Sequence, residues 1–241
     1  MKLPASGTAR AEAESRNPGA VRAMFDGIAR RYDLANHVLS GSVDFFWRRR
    51  AVSVVKKWKP RRLLDLATGT GDLALALTRA LPDTEVTGAD FSPEMLAVAA
   101  RKGLAKTVVA DALQLPFGAA SFDCVTVAFG LRNMADWNVA LREMGRVLAP
   151  GGHLLVLDFS QPMPLLQSVY RFYLHRCLPA LAGLVTGNRE AYDYLGASIE
   201  NFPSGAAMTS LIAKNGFENP IALPLTGGIA TIYCAQLSRR D

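Results

Sequence analysis

The segment Leu63 to Asp72, LLDLATGTGD, constrains the fold more than any other part of the chain. Its first half is an apolar run that carries one acid, which is typical of a buried strand. A turn of small residues follows, and an apolar pattern at helical spacing begins at Leu73. A strand that leads through a glycine-rich turn into a helix brings unpaired backbone N–H groups close to a ligand. The segment therefore predicts a nucleotide site, although a tight turn that binds nothing would have the same pattern.

The composition fits a single α/β domain that needs neither disulfides nor a structural metal. Half of the 241 residues are hydrophobic, which is enough for a sizeable core. The three cysteines, Cys124, Cys177 and Cys234, are far apart and show no metal-ligand spacing, which predicts a reducing compartment. The net charge of +6 suits an anionic partner such as a nucleotide, a membrane surface or nucleic acid, and equally an ordinary basic enzyme.

The N-terminal region predicts a tail followed by a helical cap. Residues 1–20 are small and polar without an apolar segment, so we expect a mobile tail and not a signal peptide. Residues 21–60 predict two amphipathic helices, the second from Val43 to Trp58. This second helix carries the basic run Arg48-Arg49-Arg50, which is either a solvated face or a surface for phosphate or lipid headgroups.

From residue 62 the chain alternates between strand and helix patterns, which predicts a mainly parallel sheet with right-handed crossovers. The predicted strands are Arg62–Ala67, Glu85–Asp90, Thr107–Ala110, Cys124–Phe129 and His153–Phe159, and the helices between them are Asp72–Ala80, Pro93–Arg101 and Met134–Ala149. Ligands of such sheets bind beyond the carboxyl ends of the strands. We therefore expect the functional residues at these strand ends.

The C-terminal third predicts a helical insertion and a hairpin. Residues 160–203 contain an apolar, partly basic stretch that we interpret as a helix covering the sheet or as a lid over an apolar substrate. Ser204 to Asn215 predicts a helix with Ser204 as its cap. The last patterns are two strands, Ile221–Leu225 and Ile229–Leu237, joined by Thr226-Gly227-Gly228.

Acidic side chains indicate which nucleotide the turn would hold. The glycine spacing admits a dinucleotide, because Ala74 stands where a third glycine would be and alanine is tolerated there. Asp65 and Asp72 flank the turn, however, and two carboxylates would repel a pyrophosphate. They suit a ligand without phosphate that carries positive charge, such as an amino-acid ammonium or a sulfonium.

Two further acids follow the next two strands. Asp90 ends the second strand, where its carboxylate can accept both hydroxyl groups of an adenosine ribose, whichever cofactor carries it. Asp111 follows the third strand, and its carboxylate could accept the adenine amino group while the backbone N–H of Ala112 meets a ring nitrogen. The alternative for Asp111 is an ordinary loop acid.

Five segments resemble class I S-adenosylmethionine-dependent methyltransferases in their order: LLDLATGTGD, GADFSPEML, ADALQLPF, FDCVTVAFGLRN and LAPGGHLLVLDF. Two longer segments, MFDGIARRYDLANHVLSGSVDFFWRR and AFGLRNMADWNVALREMGRVLAPGGHLLVLDFS, are similar to the two signatures of the quinone-biosynthesis C-methyltransferases. YDYLGASIENFP and LTGGIATIY fit the same family, so the likeness extends from about Val21 to Leu237. It implies an α/β, Rossmann-like class I fold with a mainly parallel sheet, and C-methylation of demethylmenaquinol, a polyprenylated benzoquinol or both.

The resemblance also implies S-adenosyl-L-methionine as the cofactor, held at the ends of the first three strands. The expected cofactor-binding residues are Asp65, Gly69, Thr70, Gly71, Asp90, Phe91, Asp111 and Ala112. Some family members have a serine at the position of Ala128, so this chain lacks one side-chain hydrogen bond to the cofactor. No metal is expected, because the methyl group of a sulfonium is already activated.

The expected catalytic residues are Arg132, Asn133, Tyr32 and Asp33. Arg132 can stabilise a phenolate, and Asn133 can orient the quinol oxygen. Asp33 or His37 could take the phenol proton, directly or through water. A structural salt bridge is the alternative for Arg132, and a place at a helix end is the favoured interpretation of His37.

The expected partners are a polyprenylated quinol, the inner face of a membrane by peripheral contact, and a second copy of the chain. Phe25, Phe45, Phe46, Trp47 and residues 165–185 could line a groove for the polyprenyl tail, or pack in the core. Two other functions stay open: a methyltransferase of the same fold acting on a phospholipid amine or small metabolite, and an NAD-dependent oxidoreductase. Nucleic-acid binding is disfavoured because the basic residues are scattered, and we expect a cytoplasmic protein.

Overall fold

The computed structural model describes residues 43–163, 167, 170 and 198–239. The predicted tail, the first predicted helix of the cap and most of the predicted insertion over residues 160–203 lie outside the described residues.

Helices and strands alternate along the described chain as the sequence predicts. The helices are α1 (Val43–Trp58), α2 (Asp72–Ala80), α3 (Pro93–Arg101), α4 (Trp137–Val147) and α5 (Ala206–Lys214). The strands are β1 (Arg62–Leu66), β2 (Glu85–Asp90), β3 (Thr107–Val109), β4 (Phe122–Ala128), β5 (Leu148–Phe159), β6 (Phe217–Leu225) and β7 (Ala230–Leu237). Two short 3₁₀ turns, Leu131–Asn133 and Thr226–Gly228, connect β4 to α4 and β6 to β7.

All seven strands form one sheet in the order β3-β2-β1-β4-β5-β7-β6. The first five strands pair in parallel, whereas β7 runs antiparallel to both of its neighbours. This confirms the predicted mainly parallel sheet with a C-terminal hairpin. The chain first builds outward from β1 to β3 and then crosses to β4 on the other side, so the crevice between β1 and β4 lies at the point where ligands bind in such sheets.

The helix starts follow from local capping. Ser92 caps α3 as predicted, because its Oγ accepts the backbone N–H of Met95 at 3.1 Å. Helix α4 begins at Trp137 and not at Met134, because the Asp136 carboxylate caps it there by accepting the N–H groups of Asn138 and Val139. The predicted cap at Ser204 is wrong: Gly205 precedes α5 without a side-chain cap, and its N–H donates to Tyr233 Oη at 2.9 Å.

Strand β5 is longer than the sequence predicts. The sequence predicts a helix that ends at Ala149 and a strand that begins at His153, but β5 already begins at Leu148, which pairs with Phe122. The register shifts between Phe122 and Cys124, and a Cβ on Gly152 would lie 2.8 Å from the backbone oxygen of Ala149. A glycine is therefore needed where the strand is irregular.

The sheet is covered on both faces. Residues of β1 alternate between the faces, so Leu64 packs in the cluster that includes Leu141 of α4, and Leu63 packs in the cluster that includes Trp47 of α1. Trp47 is buried, and its Nε1 donates to Thr226 Oγ1 at 2.8 Å. Helix α1 is thus anchored to the sheet. No helix within the described ranges is both long and apolar enough to cross a bilayer.

Candidate active site

A pocket opens at the carboxyl ends of β1, β2, β3 and β4, where the topology predicts a ligand. Its polar lining residues are Arg48, Asp65, Thr68, Gly69, Thr70, Asp72, Asp90, Ser92, Asp111 and Asn133. Phe91, Ala112, Ala128, Phe129, Met134 and Ala135 contribute to its apolar lining. Seven of the eight residues expected to bind the cofactor line this pocket, and the eighth, Gly71, is not in the described lining.

Gly71 shapes the turn instead. It precedes α2 in the left-handed conformation, with φ at +86°, which glycine adopts without strain. A Cβ at this position would also lie 3.0 Å from the Cβ of Ala99 on α3. A second close approach occurs across the crevice, where a Cβ on Gly130 would lie 2.4 Å from the Cβ of Ala67. Gly71 thereby lets the start of α2 approach α3, and Gly130 lets the segment after β4 approach the segment after β1.

Asp65 is a buried carboxylate bonded to two hydroxyl groups. Thr126 donates to its Oδ1 and Thr68 donates to its Oδ2, each at 2.6 Å. Burial raises the pKa of Asp65 from 3.8 to about 6, because desolvation outweighs the two hydrogen bonds and the charge of Arg48, which lower it. At neutral pH the side chain is therefore mainly ionised and held at the pocket wall, where a cationic group would be stabilised.

Asp90 ties the glycine-rich turn to the end of β2. Its Oδ2 accepts the backbone N–H of Gly69 at 2.8 Å, and its Oδ1 accepts the N–H of Ser92 at 2.9 Å. The same carboxylate lines the pocket, where ribose hydroxyls would approach it. The sequence predicted Asp90 as a ligand contact but did not predict that it also fixes the turn.

Asp111 begins a loop that α4 holds from outside the pocket. Its Oδ1 accepts the N–H of Leu113 at 2.9 Å, which closes a tight turn. Glu143 of α4 accepts the N–H of Leu115 at 2.8 Å, and Arg146 donates to the carbonyl of Leu115 at 3.0 Å. Hydrogen bonds from Arg146 lower the pKa of Glu143. Neither residue of this pair was predicted, although their i, i+3 spacing on a predicted helix was a signal.

Arg132 has a different environment from the one a direct catalytic role predicts. It is not among the pocket-lining residues that the structure describes, and its Nη1 donates to Asp158 Oδ1 at 2.8 Å and to the Phe129 carbonyl at 2.5 Å. Both members of the ion pair are buried, and burial raises the pKa of Asp158 against the effect of Arg132. This geometry is the salt bridge that was the alternative for Arg132. Asn133, next in sequence, does line the pocket.

Asp158 was not predicted as a partner for Arg132. Its signal was an acid inside an apolar run, LLVLDF, the same pattern that drew attention to Asp65. Tyr32, Asp33 and His37 lie outside the described residues, so their catalytic roles stay predictions. No group of three metal-ligating side chains occurs in the part of the chain that the structure describes.

Arg48 lines the pocket, a position that its sequence pattern did not predict. The run Arg48-Arg49-Arg50 was interpreted as one face, but only the last two side chains are exposed, whereas Arg48 lines the pocket. Arg48 forms an ion pair with Asp44 on its own helix, and its Nη2 lies 3.7 Å from an oxygen of Asp72. One residue of a basic run can point inward because neighbouring helix positions differ by about 100°.

The parallel sheet with its antiparallel β7, and the acids at the ends of β1, β2 and β3, define a class I S-adenosylmethionine-dependent methyltransferase fold. Human N-acetylserotonin methyltransferase in complex with S-adenosylmethionine has this fold, with a TM-score of 0.59 and 18% identity over 88% of this chain and 58% of that one. Within the class, the chain belongs to the ubiE/COQ5 methyltransferase family, whose model matches residues 10–236. S-adenosyl-L-methionine is its cofactor.

Two curated relatives are similar over most of the chain. "Demethylmenaquinone methyltransferase" of Thermus thermophilus is 51% identical over 87% of this chain and 98% of its own length. "Ubiquinone/menaquinone biosynthesis C-methyltransferase UbiE" of Syntrophotalea carbinolica is 44% identical over 88% of this chain and 92% of its own. These similarities confirm the predicted family, methyltransferase activity and cofactor.

Proposed function

We propose that the protein transfers a methyl group to a ring carbon of a polyprenylated quinol, with demethylmenaquinol as the acceptor. The observation that carries the proposal is the similarity to the Thermus thermophilus relative, which extends over nearly that protein's whole length. The pocket is consistent with it, because acidic side chains at the strand ends suit a sulfonium cofactor, whereas a pyrophosphate would be repelled.

The cofactor contacts that we propose follow the strand order. Asp111 and Ala112 would hold the adenine, and Asp90 would accept hydrogen bonds from the ribose. Asp65 lies on the next strand along the sheet, where its carboxylate would stabilise the charge of the amino-acid end. When bound, S-adenosyl-L-methionine would supply an activated methyl group to the acceptor carbon, with loss of its bond to sulfur and, overall, of one proton from the quinol.

The protein's own contribution is to position the acceptor and to remove its phenol proton. Asn133 lines the pocket among apolar residues and would orient a quinol hydroxyl. Arg132, which is paired with Asp158, would fix the backbone from Phe129 to Asn133 and thereby the position of the Asn133 side-chain amide. Asp33 or His37 would take the phenol proton, directly or through water, and Tyr32 is the further catalytic residue expected in the same segment. We propose that residues 21–60 and 160–203 cover the acceptor and exclude water.

A membrane contact would bring the enzyme to its lipid-like acceptor. Phe45 and Phe46 on α1 are more than half exposed, and Arg49 and Arg50 on the same helix are exposed as well. Aromatic and basic side chains together suit an anionic membrane surface. Flotation of the protein with vesicles that contain anionic lipid tests this contact.

The predicted homodimer is a separate expectation. Light scattering, which measures the molar mass in solution, tests it.

Transfer of label from methyl-labelled S-adenosyl-L-methionine tests the proposed reaction. We expect label in reduced demethylmenaquinone presented in vesicles, and none in the oxidised quinone, which has no phenol proton to lose. Label in an amine phospholipid without label in the quinol would contradict the proposal. Thermal stabilisation by NAD but not by S-adenosylhomocysteine would instead favour an oxidoreductase.

A further inference from the structure

The wall of the pocket is acidic, with one basic exception. Asp65, Asp72, Asp90 and Asp111 line it, and Arg48 is the one basic side chain among the lining residues that the structure describes. Acids alone would serve a ligand that brings only positive charge. A guanidinium in the same wall adds a place where a negative group of the ligand could bind.

The structure holds the Arg48 guanidinium in place from three sides. Asp44 pairs with it one helical turn earlier, Asp72 lies 3.7 Å away, and the ring centroid of Phe129 lies 5.5 Å from Arg48 Cζ. The side chain is only 13% exposed. A guanidinium has five N–H donors, so a carboxylate of the ligand can be added to this arrangement without a rearrangement of the side chain.

The strand order shows at which end of the pocket Arg48 lies. Along the sheet, β3 carries Asp111 at its end, β2 carries Asp90, and β1 carries Asp65. Arg48 contacts Asp72, which follows the turn after β1, and Phe129, which follows β4. It is therefore on the side of the crevice away from Asp111, where the adenine would lie. The negative group that faces Arg48 would belong to the other end of the ligand.

S-adenosylmethionine has one negative group, the α-carboxylate of its amino-acid end. We propose that Arg48 binds this carboxylate and thereby selects ligands that keep the complete amino acid. The inference rests on the proposed function for the orientation of the cofactor in the pocket. It assigns the two charges of the amino acid to different partners, the carboxylate to Arg48 and the ammonium to the acids of the wall.

Calorimetric titration of the full chain with two ligands tests the assignment. S-adenosylhomocysteine carries the amino acid, whereas 5′-deoxy-5′-methylthioadenosine keeps the adenosine and the sulfur without it. In Arg48→Met we expect the affinity for S-adenosylhomocysteine to fall about 10- to 100-fold and that for methylthioadenosine to stay within about twofold. Arg48→Lys should lose less, and Arg49→Met, on the exposed face of the same helix, should match the wild type.

Equal weakening of both ligands in Arg48→Met would overturn the assignment, because it would show that Arg48 only supports the pocket. Unchanged affinity for S-adenosylhomocysteine would overturn it as well. The wild type gives a test that needs no variant: decarboxylated S-adenosylhomocysteine should bind at least about 10-fold more weakly. Equal or tighter binding of this more cationic analogue would mean that the acids alone determine the affinity for the amino-acid end, and it would overturn the assignment to Arg48. If the wild type binds none of these ligands, the proposed function fails, and the inference fails with it.

Discussion

Two buried aspartates, Asp65 on β1 and Asp158 on β5, are stabilised in different ways. Asp158 accepts a hydrogen bond from the guanidinium of Arg132 at 2.8 Å, so its charge is balanced inside the fold. Asp65 accepts hydrogen bonds from Thr68 and Thr126, which carry no charge. Burial raises the pKa of both carboxyls, that of Asp65 to about 6. Asp65 is bonded to neutral hydroxyl groups, and Arg48 acts on its charge from a greater distance, so a cationic group of a ligand would stabilise it further. The charge of Asp158 is already paired inside the fold.

The largest effect should come from breaking the Arg132–Asp158 pair. Arg132→Met leaves the Asp158 carboxylate buried without its counter-ion, and we expect the free energy of unfolding to fall by about 3–5 kcal/mol. Urea denaturation measures this, and the melting temperature should fall by about 10 °C.

The double variant Arg132→Met, Asp158→Leu is the control for this loss. It removes both charges and leaves an apolar pair, so it should recover most of the lost stability. If Arg132→Met keeps wild-type stability and loses only catalytic rate, Arg132 acts on the substrate directly and the contrast between the two aspartates fails.

The pH dependence of stability should reveal the buried charge of Asp65. Its pKa in the folded protein, about 6, lies above its ordinary value of 3.8, so the folded state keeps a proton that the unfolded chain has lost. Stability is therefore highest below about pH 4 for this group and falls as pH rises to about 6 and beyond, by up to about 3 kcal/mol.

Asp65→Asn isolates this contribution. The asparagine side chain does not titrate, whereas Asp158 and its raised pKa are present in both proteins and cancel in the comparison. We expect the unfolding free energy of the wild type, minus that of Asp65→Asn, to fall between pH 4 and pH 7. Chemical denaturation at a series of pH values measures the difference. A difference that is constant over this range would show that Asp65 has an ordinary pKa.

The next effect separates the two aspartates by ligand binding. At pH 7.5, Asp65→Asn should bind S-adenosylhomocysteine about 10-fold more weakly without loss of stability, since it removes a buried charge. Asp158→Asn should do the reverse, with lower stability and unchanged affinity of the folded fraction. Titration calorimetry and denaturation of both variants check this, and the opposite outcome would exchange the roles assigned to the two side chains.

The sequence predicted the order of elements well because each depends on local patterns. Apolar periodicity located α1, α2 and α3 within their observed bounds, and the capping side chain of Ser92 gave the start of α3. The errors occur where tertiary contacts decide. Leu148 joins β5 because Phe122 of the neighbouring strand is there to pair with it, which no local pattern records.

The candidate site was predictable in part for the same reason. Acids that follow strands, such as Asp90 and Asp111, reach the pocket because parallel strands end at one edge. Arg48 was missed because its direction depends on how α1 is rotated against the sheet, and three consecutive arginines conceal it. The Arg132–Asp158 pair joins residues 26 positions apart, so its partner choice depends on β4 and β5 being neighbours.

The smallest effect concerns a third acid, Glu143, whose pair is partly exposed. Arg146 lowers the pKa of Glu143, so its contribution to stability is present above about pH 4.5 and is lost as pH falls, opposite in sign to Asp65. Glu143→Gln should cost at most about 1 kcal/mol of stability. Because Glu143 holds the loop after Asp111, the substitution should also lower the affinities for S-adenosylhomocysteine and methylthioadenosine equally, by about threefold.

The matched control for Glu143 is Glu85, which forms an ion pair with Lys106 at 2.7 Å and is about half exposed. Glu85→Gln should leave the affinities for both ligands unchanged, because this pair does not hold a loop of the pocket. A selective loss of S-adenosylhomocysteine in Glu143→Gln would place the disturbance at the amino-acid end and contradict the role of the loop. Equal losses of affinity for the two ligands in Glu143→Gln would place its effect at the adenine end. The effects of Asp65 and Arg48 differ from this, because they require a ligand that carries the amino acid.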